Sequence, residues 1–165
     1  MMLLRIGKEL GFHTYTADPS QKCGDTSLKE LADMSRDDLK KYVGEQILDP
    51  LSRADVIWHV PEGTFYVFEV IIGGDMKDAL FRFLNISGLN AKVFIVAGEE
   101  RRHEYEGLIK MPAFSIIRQC DFISIPQLIK MYALTSLWKQ SIDKLDSLSW
   151  VGEVCGFKYM RCTIV

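Results

Sequence analysis

Apolar positions along the chain change spacing several times, and each change marks an element. Residues 3–10 repeat at helical spacing and end at Gly11, a residue suited to a left-handed helix stop. Phe12-His13-Thr14-Tyr15-Thr16 alternates and predicts a strand, and Asp18-Pro19-Ser20 through Gly24-Asp25 reads as a loop. Ser27 with Glu30, and Ser35 with Asp38, have capping-box form and predict short helices over 27–33 and 36–43. Residues 54–60 are strand-like, Pro61-Glu62-Gly63 is a turn, and residues 64–72 are a dense run of β-formers. Gly73-Gly74 stops that run, Asp75 is placed to cap a helix, and Met76, Leu80, Phe83 and Leu84 share one side of a helix over 76–86.

The second half repeats a strand–helix rhythm. Lys92-Val93-Phe94-Ile95-Val96-Ala97 is a short continuous apolar run, the pattern of a strand covered on both faces and often parallel. A charged helix over 99–110 is broken by Pro112, a strand follows near 121–125, and Pro126 fits the first position of a helix running to about Lys139. A helix long enough to cross over makes the last two strands parallel, while the 54–71 hairpin is antiparallel. The fold class is therefore α/β: a layered domain with a mixed central sheet. Residues 146–165 hold two apolar stretches around Gly156-Phe157-Lys158 and read as an edge hairpin.

Composition narrows the class. At 165 residues, with 48% hydrophobic positions, the chain is one domain with a core that needs no staples. No apolar run reaches the ~18 residues of a membrane span. The brief apolar start reads as a helix of the fold and not as a signal peptide. Cys23, Cys120, Cys155 and Cys162 lack zinc-site spacing and suggest free or buried thiols in a reducing compartment, the cytoplasm. The net charge of −2 counts against nucleic-acid binding by the whole surface, though not by a local basic patch. His13, His59 and His103 form no His-x-x-x-His pair, and no Walker loop or Gly-x-Ser-x-Gly elbow occurs. Trp58 and Trp138 read as core residues, and Trp150 as core or interface.

The candidate chemistry lies in the hairpin. If strands 54–60 and 64–70 pair about Glu62, opposite residues have numbers summing to 124, and Asp55 stands opposite Glu69. Their Cβ atoms would then be about 5 Å apart on one face. Facing carboxylates repel and call for a compensating cation. Mg²⁺ (or Mn²⁺) suits, being a hard ion held by one or two carboxylates with phosphate oxygens. Two acids that point to solvent, or a bulge that separates them, would serve the pattern as well. Their apolar flanks, Val56-Ile57-Trp58 and Val67-Phe68-Val70-Ile71, make an acid without a partner costly there.

Asp55-Val56-Ile57-Trp58, the turn, Phe68-Glu69-Val70, a helix carrying Arg82, and Val93-Phe94-Ile95-Val96-Ala97 together resemble the restriction-endonuclease-like, or PD-(D/E)XK, nuclease superfamily. The resemblance extends from about Phe12 to Tyr132. It implies a three-layer α/β/α fold with a mixed central sheet and Mg²⁺-dependent phosphodiester hydrolysis in DNA, with Asp55 and Glu69 as metal ligands. The motif places a Lys, Glu or Gln two residues beyond the second acid, where this chain has Ile71. A polar group there would orient the attacking water or stabilise developing charge, which Ile cannot do. Lys77, in the first turn of the next helix, is the candidate substitute.

Other residues carry weaker expectations. Glu45 could add a metal ligand from a preceding helix, as in some members of the superfamily, or be a surface acid. Arg53 is read on the strand face opposite to Asp55, as a phosphate contact or a solvated residue. Arg82 is read as an ion-pair partner of a buried acid in preference to a phosphate contact. Arg101 and Arg102 could touch phosphate but sit among Glu99, Glu100, Glu104 and Glu106. Two function classes follow from the resemblance, beside a weaker third, a small-molecule-binding α/β domain with no nuclease ancestry. One is a Mg²⁺-dependent DNA endonuclease of restriction or repair type. The other is a catalytically degenerate nuclease-like fold serving as a nucleic-acid or protein-binding module. DNA is the expected partner, no membrane is expected, and a homodimer is left open.

Overall fold

The computed structural model describes residues 1–117 and 120–146; the expected edge hairpin at the C-terminus and Trp150 lie outside the described residues. A five-stranded mixed sheet has the spatial order β1-β4-β5-β6-β7. Its strands are β1 (His13–Thr16), β4 (Val56–His59), β5 (Phe65–Ile71), β6 (Ala91–Ala97) and β7 (Cys120–Ser124). β4 pairs antiparallel with both β1 and β5, while β5, β6 and β7 run parallel. The predicted hairpin and the predicted parallel pair are both present. A two-residue ribbon of β2 (Lys22–Cys23) and β3 (Thr26–Ser27) lies in the segment read as a loop.

Period-two alternation along β5 explains why the sheet needs helices on both sides. Phe65, Val67 and Ile71 join one core cluster, whereas Phe68 joins the other. The first cluster is closed by α4 (Glu45–Leu51), α5 (Met76–Asn85) and α6 (Arg102–Ile109), through Leu48, Leu51, Met76, Ala79, Leu80, Phe83, Tyr105 and Leu108. The second is closed by α1 (Met2–Glu9) and α7 (Ile125–Asp146), through Leu3, Leu4, Ile6 and Leu128. The molecule is thus an α/β fold whose mixed sheet carries helices on each face.

Local chemistry sets the element boundaries. Gly11, at φ +77°, follows α1 as the left-handed residue expected there. α2 (Leu28–Leu31) and α3 (Arg36–Leu39) both open with capping boxes but last only one turn, shorter than predicted. Asp75 caps α5, its Oδ1 accepting the Lys77 N–H at 2.8 Å. Gly7 is required by close approach: a Cβ there would lie 2.6 Å from Trp58 Nε1 and 2.7 Å from Thr14 Cγ2. That contact lets the buried Trp58 donate its Nε1–H to Leu3 O at 3.0 Å, locking α1 onto β4.

Three expectations need correction. α4 is a helix of its own, with Pro50 in its last turn, where the sequence offered a helical place for Glu45 but no bounds. The helix after β7 is 22 residues long and runs past Lys139. Trp138 is not a core residue; it is 52% exposed. α7 packs on α1 through its early turns, where Tyr132 accepts from Arg5 at 3.0 Å, and Trp138 lies beyond that stretch. Among the described residues no helix is long and apolar enough to cross a membrane.

Candidate functional site

The hairpin register places the two acids. Val56 pairs with Phe68 and Ile57 with Val67, so opposite residues sum to 124 and Asp55 falls in line with Glu69. β4 begins one residue after Asp55, whose carboxylate takes over the ladder: Oδ2 accepts the Val70 N–H at 2.7 Å. Thr16 Oγ1 donates to the Asp55 carbonyl at 3.0 Å and ties it to the end of β1. Asp55 and Glu69 are close enough for the Asp55 charge to act on Glu69.

Glu69 is 2% exposed and lies on the sheet face covered by α5. Its partner is Arg82, which donates Nε–H to Oε1 at 2.8 Å and Nη2–H to Oε2 at 2.5 Å. This fork matches guanidinium to carboxylate bidentately. The preference for Arg82 as the partner of a buried acid agrees with this geometry. Burial pushes the Glu69 carboxyl above its ordinary value, with the Asp55 charge adding to the rise and Arg82 pulling against it. Glu69 in turn raises Arg82.

Ile71 shares the Glu69 face and is 6% exposed, packed in the same core cluster as Met76, Leu80 and Ile95. The place where the motif would hold a water-handling group is packed into the hydrophobic core. Lys77 is exposed in the first turn of α5 and, among the described residues, is not a hydrogen-bond partner of either acid.

The remaining candidates are dispersed. Glu45 opens α4 but forms an exposed ion pair with Lys40, away from the acid pair. Arg53 is not on a strand face, because β4 starts at Val56, and two residues before Asp55 it would have shared the Asp55 face and not the opposite one; it is exposed in the turn after α4. With Gln46, Asp49, Pro50 and Asn85 it lines an open depression of about 290 Å³ between α4 and α5. Arg101 is held by Glu104 and donates to Gly74 O at 3.1 Å, which ties it to the β5–α5 loop. Arg102 pairs with Glu99 and lies over the Phe122 ring, 4.7 Å from its centroid. Both therefore have structural partners, in keeping with the acidic neighbours seen in the sequence.

A divalent ion does not fit this arrangement as built. Arg82 occupies both Glu69 oxygens, one Asp55 oxygen closes the strand ladder, and Glu45 is elsewhere. Among the described residues no group of three His, Cys, Asp or Glu side chains is placed to hold a metal. What the site can do is pair a buried carboxylate with a guanidinium in a two-point fork; the depression with its amide and guanidinium groups shares none of these side chains.

Comparison with protein families, with curated proteins and with solved structures finds no match. The functional reading therefore rests on the residues themselves. One cluster escaped the sequence entirely. His13 and His59, judged too far apart for a metal motif, stand directly opposite each other on β1 and β4. The signal was the summed register of β1 against β4, which becomes visible only when β1 is known to flank β4.

Proposed function

We propose that this chain is a restriction-endonuclease-like DNA-binding domain that has lost phosphodiester cleavage. The observation that carries the reading is Ile71, built into the core where that superfamily's motif carries its third catalytic group. The Arg82 fork on Glu69 supports it, because the guanidinium takes both oxygens with which Glu69 would hold a metal. Order of elements supports the kinship: an N-terminal helix, the β4–β5 hairpin with Asp55 at its start and Glu69 within it, then helix and parallel strand.

The DNA contacts in this reading fall to two exposed cations, Arg53 in the depression and Lys77 in the first turn of α5, with Gln46 and Asn85 as amide donors in the depression. Two phosphate contacts predict a log K against log salt slope of about −2 for duplex DNA. Fluorescence anisotropy with a labelled duplex at several salt concentrations measures it. Arg53→Ala should weaken binding about equally for unrelated sequences and flatten the slope by about 1. Absence of any duplex binding at low salt would remove DNA as the partner.

The endonuclease reading keeps one observation in its favour: Asp55 and Glu69 retain the motif register on one sheet face. It requires Lys77 to replace the missing group, so its mark would be cleavage that is lost in Lys77→Ala.

A further inference from the structure

At the end of β4 opposite to Asp55, His59 is 6% exposed, and its Nδ1 is buried without a hydrogen-bond partner. Such an orphan is uncommon, since buried polar atoms are nearly always paired. Rings from three segments of the chain pack on it. His13 of β1 stacks on it at 6.4 Å between centroids with 21° between planes. Tyr42, which follows α3, lies 4.1 Å away, and Phe65 of β5 lies 4.7 Å away. His13 Nδ1 in turn meets Asp33 Oδ2 at 2.9 Å, and Asp33 Oδ1 accepts the Thr14 N–H.

The two histidines are thus provided for unequally. A proton on His13 is met by the Asp33 carboxylate, and the His13 side chain is more than half exposed. A proton on His59 meets no carboxylate, loses its hydration, and faces the charge on His13. Attraction to the Tyr42 and Phe65 faces offsets part of this, but the orphaned nitrogen still lacks an acceptor. Tyr42 is 51% exposed and is the solvent-side cover of the ring. The stretch that carries it is a one-turn helix and the turn after it, anchored in the core by Leu39 and more loosely by the half-buried Val43, and tied at the surface by Arg36–Asp49 and Lys40–Glu45. Exposed ties of this kind contribute little.

We propose that His59 is a proton-operated latch: neutral, it holds the 36–43 stretch against the sheet, and on taking a proton from solvent it releases that stretch. The inference is independent of the DNA reading and concerns a different end of the sheet. Burial lowers the His59 value first, and the facing His13 lowers it further. The unfolded or opened ring then binds the proton before the closed one. The closed state holds its full advantage above about pH 6.5 and loses it as pH falls.

Amide hydrogen exchange at pH 7.5 and 5.5, corrected for intrinsic rates, reads the latch directly. In the wild type the Tyr42 and Val43 amides, which donate to Leu39 O, should lose several-fold in protection at pH 5.5, with a ceiling of about ten-fold set by a pH one unit below the ordinary imidazole value. In His59→Phe, which keeps the stack and cannot titrate, protection should be the same at both values. Equal losses in the two proteins, or no loss in the wild type, would overturn the proposal. Imidazole NMR of the wild type gives a check that needs no variant: a His59 midpoint below 6.5 supports the latch and one at or above 6.5 refutes it. Should His59→Phe fail to fold, His13→Asn serves in its place. Removing the facing charge should raise the His59 midpoint and move the loss of protection to higher pH, and an unmoved midpoint counts against the latch.

Discussion

Arg82→Ala should destabilise the fold by about 3 kcal/mol at neutral pH, the low end of what breaking a buried ion pair costs. The low end applies because Glu69 is buried while Arg82 is 37% exposed and partly hydrated. For a domain of this length the melting temperature should fall by roughly 6–12 °C. With its partner gone, Glu69 is left to burial and to the Asp55 charge, both of which raise its value further. A raised folded value contributes stability that is present below the unfolded value of about 4.5 and lost as pH rises through the folded one. The deficit of Arg82→Ala should therefore be largest near pH 7–8 and shrink toward pH 5. Denaturant titrations at both pH values measure it. The double variant Glu69→Leu/Arg82→Met should recover most of the loss, because a buried pair is often replaceable by hydrocarbon of similar volume. An equal deficit at both pH values, or a double variant worse than the single one, would mean that the pair does not act as the unit seen here.

Ile71→Lys carries the second large effect. The substitution removes a buried side chain worth about 1.5–3 kcal/mol and places an ammonium in hydrocarbon. Glu69, two residues away on the same face, returns part of this as Coulomb attraction. A net loss of about 3 kcal/mol is expected by chemical denaturation. Cleavage should stay at background in the folded variant, because Arg82 still holds both Glu69 oxygens. A general acid–base group in a competent site is typically worth 10²–10⁴ in rate. A gain of that size in Ile71→Lys would show that only the third group was missing and that a metal displaces Arg82 unaided.

The sequence was most informative where chain-local chemistry governs. The register about Glu62 needs only a symmetric turn and period-two alternation, and it placed Asp55 opposite Glu69 as found. The Asp75 cap, the helix over 76–85 and the parallel strand at 91–97 follow from similarly local signals. Contacts between distant segments were not legible. That Arg82 meets Glu69 with a full fork depends on where α5 crosses β5, and the pattern offered only a preference for an ion pair. That His13 faces His59 depends on β1 joining β4 at the edge of the sheet. Trp138 misled because an aromatic residue at helical spacing reads as core, whereas α7 outruns the surface it packs on. The bounds of α4 were not legible because the seven-residue helix is too short for a clear apolar period and holds Pro50 in its last turn; the burial of Leu48 and Leu51 against the core holds it in place.

Plasmid nicking in Mg²⁺ and in Mn²⁺, wild type beside Asp55→Ala, tests the loss of cleavage most directly. The two proteins should give the same low background in either metal, because Ile71 leaves no group to handle water and Glu69 is closed by Arg82. Nicking by the wild type that disappears in Asp55→Ala would contradict that account and establish the acid pair as a working metal site.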